Sequence, residues 1–211
     1  ADGAASPGWR FYAAGVFNDK NPWWIVMPDL ARYLQRLSFL LRQGTPVNDV
    51  AVYLPNDDAW AHFVPGKIGS MIDALAQRIG PDLITTILDA GFNLDFVDDG
   101  VLAERARVDQ GRLAIGQSRY RAVILPGVER IPMGTLRALE TFARQGVVVM
   151  ATRRTPALAP GYRATSTDHA AVGAAAGRLF RGPSAAGVFV EREADLAGAL
   201  TSRVAPDIAV S

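Results

Sequence analysis

The sequence predicts an α/β fold, a mainly parallel sheet with helices between its strands, preceded by a helical segment. Three observations carry this. The runs DVAVYLP (49–55), RAVILP (121–126) and VVVMA (147–151) are apolar without alternation and only strand-long, as strands covered on both faces are. Between them apolar residues recur at helical three-and-four spacing. Glycine then punctuates the helix ends, at Gly44, Gly80, Gly91 and Gly146.

Taken in order, Leu30, Tyr33, Leu34, Leu37, Leu40 and Leu41 fall on one helix face, while Arg32, Gln35, Arg36 and Arg42 fall elsewhere. Pro28 suits the first turn, where no backbone N–H is needed, and Gly44 suits the left-handed position after the end. DVAVYLP is a buried strand and NDDAWAHFVPGK (56–67) a loop after it. Ile68, Met71, Ile72, Leu75 and Ile79 mark a helix stopped by Gly80-Pro81, and DLITTILDAG (82–91) another turn or two. FNLDFVDDG (92–100) alternates as a strand does, with VLAERA a short helix behind it. A small hairpin is centred on 109–111, followed by the strand RAVILP. Met133, Leu136, Leu139 and Phe142 form the next helix face, ahead of VVVMA. The succession of strand, helix and glycine argues for right-handed crossovers in a parallel sheet. Past Thr152 the sequence gives a helix around 170–179, a strand GVFVER (187–192) and a helix EADLAGALTSRV (193–204). The final APDIAVS (205–211) reads as the first residues of a strand whose partners lie beyond the chain.

Composition narrows the function classes. With 211 residues, 49% of them hydrophobic, the chain is long enough for a substantial core. Lys and Arg number 22 against 21 Asp and Glu, a net charge of +1, so no nucleic acid or membrane partner is expected. No cysteine is present, which removes disulfides, thiolate metal sites and a cysteine nucleophile. The apolar run from Trp23 to Met27 is far shorter than the roughly 20 residues of a membrane span, and a soluble chain is expected. The start, ADGAASPGWR, lacks the basic region and apolar core of a signal peptide.

Chemistry-bearing patterns are few. No GxGxxG or GxxxxGK[ST] follows a strand, and VPGKIGS has the wrong spacing to cradle a phosphate. No GxSxG exists, and Gly127, Val128 and Glu129 stand where a nucleophile on a sharp turn would sit. His62, near Asp57 and Asp58, admits a metal or general-base reading, though a loop histidine is commonly a local hydrogen-bond partner. His169 begins a helix for which Asp168 or Thr167 is the expected cap, and neither histidine supports a metal site. Asp57/Asp58 and Asp98/Asp99 each follow a strand. Two carboxylates about 5 to 10 Å apart suit glycosidic hydrolysis, but Asp-Asp and Asp-Asp-Gly are equally turn and cap residues. ERARVDQGR is a solvated surface. NPWW, ahead of the first helix, is either core or an aromatic platform for a sugar ring.

The segment GVFNDKNPWWIVMPDLARYLQRLSFLLRQGTPVNDVAVYLP (15–55) resembles the junction in glycoside hydrolase family 106, the α-L-rhamnosidases, where a barrel's last segment leads into the following domain. The likeness continues from ILDAGF to QGVVV (87–149), with VDQGRLAIGQSRYRAVILP (108–126) the most characteristic stretch. The resemblance implies that 1–45 is the barrel tail with its last helix, 46–205 a Rossmann-like accessory domain, and 206–211 the entry to a β-sandwich. The accessory domain is then a three-layer sandwich similar to flavodoxin, class I amidotransferases and the trimerisation domain of family 42 β-galactosidases. In that family the two catalytic carboxylates and the calcium ligands lie in the upstream barrel. No catalytic residue, metal ligand or cofactor is therefore assigned in this segment, and any calcium belongs to the parent barrel. Asn21, Trp23 and Trp24 are placed near the barrel mouth as substrate-binding residues, with at least one indole exposed.

The implied function is a noncatalytic scaffold in a bacterial glycoside hydrolase, periplasmic or secreted, whose parent hydrolyses terminal rhamnosides of plant or bacterial glycans. Its partners are the remaining domains of the polypeptide, carbohydrate through the parent, and, in a homo-oligomer, further copies. The alternative is a standalone small-molecule-binding domain or enzyme with its site at the carboxyl ends of the strands, near Asp57, Asp98 and Glu129. A pure protein-interaction module, with a large apolar patch, is the third reading.

Overall fold

The computed structural model describes residues 18–206. The expectations for the opening ADGAASPGWR and for a strand in the last residues lie outside the described residues. The chain divides into two units, Ala1–Thr45 and Pro46–Ser211.

In the first unit a 3-10 turn, Pro22–Val26, leads into α1, Met27–Leu41. Pro28 sits in the first turn and Gly44 takes a φ of +82° beyond the end, as the spacing predicts. The apolar stripe forms as well, but no residue of the turn or of α1 is buried. Trp23 and Trp24 are 41% and 37% exposed, and their rings lie 6.4 Å apart at a tilt of 53°.

The second unit is built on a five-stranded sheet. Its elements in order are β1 (Val50–Tyr53), α2 (Asn56–His62), α3 (Met71–Ile79), α4 (Leu83–Asp89), β2 (Leu94–Val97), a π-type turn (Val101–Arg105), β3 (Arg107–Asp109), β4 (Arg112–Ile115), β5 (Ser118–Tyr120) and β6 (Ala122–Pro126). They continue with α5 (Met133–Arg144), β7 (Val148–Thr152), α6 (Ser166–Phe180), β8 (Val188–Val190), a 3-10 turn (Glu193–Asp195) and α7 (Leu196–Thr201). The sheet order is β2-β1-β6-β7-β8 and every pairing is parallel. This is a three-layer α/β sandwich. The chain steps out from β1 to β2, then returns past β1 to β6, so the order reverses between β1 and β6. In open α/β sheets the crevice at the carboxyl ends of such a pair is where ligands bind.

The missing alternation in the strands has the predicted cause. Val50 and Val52 join one core with Ile79, Leu83, Ile87, Leu196 and Leu200. Ala51 and Tyr53 join the other with Leu136, Leu139, Phe142, Val172, Ala176 and Leu179. At the amino end of β1, Asp49 is buried and accepts a bidentate pair from Arg121, with Arg121 Nε to Oδ1 at 2.6 Å.

The structure also corrects four readings. The stretch after β1 is not wholly loop: 56–62 is helix α2, with Asp57 and Asp58 in its first turn where negative charge is favoured. α3 begins after Ile68, because Ser70 Oγ accepts from the Asp73 N–H as N-cap. The hairpin turns through Gln110 and Gly111, both at positive φ, as a two-residue loop requires, but it carries a third strand, β5. α6 starts earlier than the sequence suggests, since Thr165 caps it and Asp168, at the third helical position, completes a capping box.

Candidate functional site

The carboxyl ends of β1 and β6 gather the residues of greatest chemical interest. α2 follows β1 after two residues, so its first turn aims Asp57 and Asp58 across the switch point toward the loop after β6. Asp58 is fully buried. Its carboxylate accepts the Glu129 N–H at 2.6 Å and the Arg130 N–H at 2.9 Å, with Arg130 Nη1 at 3.4 Å. One short side chain thus clamps α2 onto a loop 71 residues away.

His62 ends α2 and donates from Nδ1 to the Asp58 carbonyl at 2.8 Å, an ordinary one-turn contact. Its Nε2 faces Glu129 Oε2 at 4.0 Å. Asp58, His62 and Glu129 bring ligand-type atoms within 4.8 Å of one another, the cluster of that kind found among the described residues. Its donor set does not fit a divalent cation. Asp58 already serves two backbone N–H groups, and Glu129 pairs with Arg130 at 2.6 Å and lies 3.9 Å from Arg154. A dication entering here would face two guanidinium groups that already neutralise its ligands.

The other acidic pair is divided in the same way. Asp98 Oδ1 accepts the Val101 N–H at 2.9 Å and caps the π-type turn. Asp99 Oδ1 accepts both the Tyr53 hydroxyl at 2.8 Å and the Thr135 hydroxyl at 2.7 Å, joining β1 to α5. Burial first, then the Asp99 carboxylate, pushes the Tyr53 phenol far above its ordinary range, so it stays a donor. Asp58 in the first pair, and both Asp98 and Asp99 in the second, are committed to structural bonds. Neither pair presents the two available carboxyl groups that glycosidic hydrolysis uses.

Asp57 is different. It is half-buried, and desolvation, then the Asp99 and Asp58 carboxylates, raise its pKa above the usual carboxylate value. It lines a cleft of about 550 Å³ with Trp60, Ala61, Arg130, Tyr162 and His169, and residues from the loop before α6 complete the lining. Of the residues expected around a pocket here, Asp57 lines it, while Asp98 and Glu129 do not. His169 is held with its Nδ1 accepting the Ala159 N–H at 3.0 Å. Sequence reasoning missed Trp60, Arg130 and Tyr162. The available signal was an indole within the polar run NDDAWAH, and Trp60 is in fact 65% exposed.

The position after β6 is occupied in a way that excludes a nucleophile. Gly127 adopts a φ of +54°, and a Cβ there would fall 2.7 Å from the Arg153 guanidinium. Arg153 cannot easily withdraw, because it donates to the Arg78 and Ile79 carbonyls at the end of α3 and lies 3.0 Å from Glu193 Oε1. Burial raises the Glu193 pKa and Arg153 partly offsets it.

The family model of the glycoside hydrolase family 106 α-L-rhamnosidases matches residues 4–211. The chain belongs to this family. Among solved structures it is similar to the rhamnosidase from Novosphingobium sp. PP1Y, with a TM-score of 0.63 and 20% identity over 92% of the chain. That likeness shows the fold. The chain spans 17% of that rhamnosidase, and no curated protein matches it. No helix among the described residues is long and apolar enough to cross a membrane. As a family 106 segment, the chain carries the half-buried Asn21 and the exposed Trp23 and Trp24 in the first unit and the Asp57 cleft in the second.

Proposed function

We propose that this chain is a noncatalytic accessory domain of a bacterial α-L-rhamnosidase-like glycoside hydrolase, acting as scaffold for a barrel supplied by the same polypeptide. In this reading 1–45 is the barrel tail, 46–205 the accessory domain and 206–211 the start of a β-sandwich. The parent hydrolyses terminal rhamnosides of plant or bacterial glycans in the periplasm or outside the cell. Calcium, where the parent uses it, is held by the barrel.

The observation that carries the reading is α1. It presents Leu30, Tyr33, Leu34, Leu40 and Leu41, all exposed, along one face, with Ile25 and Val26 exposed just before it. Covering one such side chain contributes about 1.5–3 kcal/mol, so a helix of this composition gains its stability from a surface that packs on it. The family match extends across this helix, and the chain is a small share of the rhamnosidase it resembles. Asn21, Trp23 and Trp24, at the start of the same apolar stretch, are the residues proposed to approach substrate at the barrel mouth. The proposed partners are accordingly the other domains of the polypeptide, with contacts between copies a secondary role.

An aryl α-L-rhamnoside assay on the isolated chain tests this. No turnover is expected. Turnover that disappears in Asp57→Asn or Asp98→Asn would replace the scaffold reading with that of a standalone enzyme.

A further inference from the structure

The Asp57 cleft has a chemistry that a scaffold does not require. Two aromatic side chains line it, Trp60 at the end of α2's exposed face and Tyr162 in the loop before α6, and Tyr162 is fully exposed. Trp60 makes an edge-on contact with Phe63, ring centroids 6.4 Å apart, and its indole remains exposed. Exposed aromatic rings lose solvent-ordering cost only when something apolar lies on them.

Polar groups surround those rings. Asp57 offers a carboxylate that is already partly desolvated, so it gives up little further hydration on accepting a hydroxyl proton. Arg130 adds guanidinium donors and is fixed through Asp58 and Glu129. Because His169 Nδ1 accepts the Ala159 N–H, its neutral ring carries the remaining proton on Nε2, a second donor.

Charge selects among ligand classes. An anion entering the cleft meets Asp57, and a cation meets Arg130. Neither a phosphate nor an ammonium group is well served. What suits an apolar platform ringed by one strong acceptor and several donors is a neutral polyhydroxylated ring, with C–H groups on one face and hydroxyls at its rim. The volume, about 550 Å³, lies within the range of small-ligand sites. The location fits too, at the carboxyl edge beside the β1/β6 switch point.

We propose that the cleft lined by Asp57, Trp60, Arg130, Tyr162 and His169 binds a neutral saccharide unit, giving this domain a carbohydrate-binding function of its own. The choice of saccharide rests on the glycosidase reading above; the site itself rests on the cleft's geometry. Trp60 and Tyr162 act as stacking platform, Asp57 as hydroxyl acceptor, and Arg130 and His169 as donors.

The test is a titration of the 211-residue chain with L-rhamnose, and separately with D-galactose, followed by the amide and indole N–H signals. The Trp60 indole is assigned by its loss in Trp60→Phe. Saturable shifts of that indole and of amides in 158–164 are expected, with a dissociation constant of about millimolar. Trp60→Ala, Tyr162→Ala and Asp57→Asn should each weaken binding about tenfold or more while melting temperature is kept, since Trp60 and Tyr162 are exposed. Shifts by both sugars define a general platform, and by L-rhamnose alone a selective one; either supports the site. The absence of any saturable shift with both sugars, or shifts that persist unchanged in the three variants, would overturn it. The two readings fail separately. Loss of binding leaves the scaffold assay as it is, and turnover by the isolated chain leaves the Trp60 shifts as they are.

Discussion

The two aspartate pairs, Asp57/Asp58 and Asp98/Asp99, stand in equivalent places, each just past the end of a parallel strand, and they diverge in what they touch. In the first pair the inner carboxylate is fully buried and holds two backbone N–H groups of a distant loop. In the second it holds two side-chain hydroxyls, Tyr53 and Thr135. The outer members diverge as well: Asp57 lines an open cleft, whereas Asp98 caps the turn beside it. Adjacent acidic residues therefore say little about shared chemistry. Consecutive side chains leave the backbone in different directions, and each meets a different environment.

Variants of the two pairs break that comparison in decreasing steps. Asp58→Ala should be the most damaging. It strands two backbone N–H groups and removes a buried partner of Arg130, and breaking such a pair costs about 3–5 kcal/mol. A urea denaturation midpoint close to that of the wild type would show that the clamp between α2 and the loop after β6 is dispensable. Asp99→Ala leaves two hydroxyls without their acceptor, at a cost of about 1–3 kcal/mol. Pairing it with Thr135→Val in a double-mutant cycle should recover part of that loss, and strict additivity would remove the proposed tether.

Asp57→Asn should change stability at neutral pH least, by about 0.5 kcal/mol or less. Its signature is in the pH dependence. Asp57 has a folded-state pKa raised above its ordinary value of 3.8, so the folded state holds this proton more tightly than the unfolded chain. The resulting stabilisation is fully present below the unfolded value and is lost as pH rises through the raised folded one. Acidification through that window should therefore favour wild type over Asp57→Asn, as read from paired thermal melts. Parallel melting curves across the window would mean that Asp57 is more solvated than its place beside Asp58 and Asp99 implies.

A similar contrast separates α1 from α5. Both carry apolar residues at helical spacing, yet α5 buries Leu136, Leu139 and Phe142 and α1 buries nothing. Periodicity states that a helix has a face to cover. It is silent on what covers it. The same limit explains the errors around the cleft. NDDAWAH reads as loop because it is short and polar, and its helical state depends on Asp58 being anchored elsewhere. The cap of α6 is Thr165 rather than the expected Asp168 or Thr167, because Asp168 serves instead as the third helical residue of a reciprocal capping box. Asp98 as a local cap was legible, because that bond spans three residues.

The sequence by itself determined the apolar strands, the helix faces, the glycine stops and the hairpin turn. Each of these is written within a few residues, where backbone geometry and the side-chain period act directly. Only the tertiary structure decided which charges meet: Asp49 with Arg121, Asp58 with the loop at Glu129 and Arg130, and Asp57 with Trp60, Tyr162 and His169 around one cleft. Those meetings follow from the strand order β2-β1-β6-β7-β8, which sets β1 beside β6 and brings their carboxyl ends together. Strand order is settled by the packing of whole layers, so no local pattern of residues contains it.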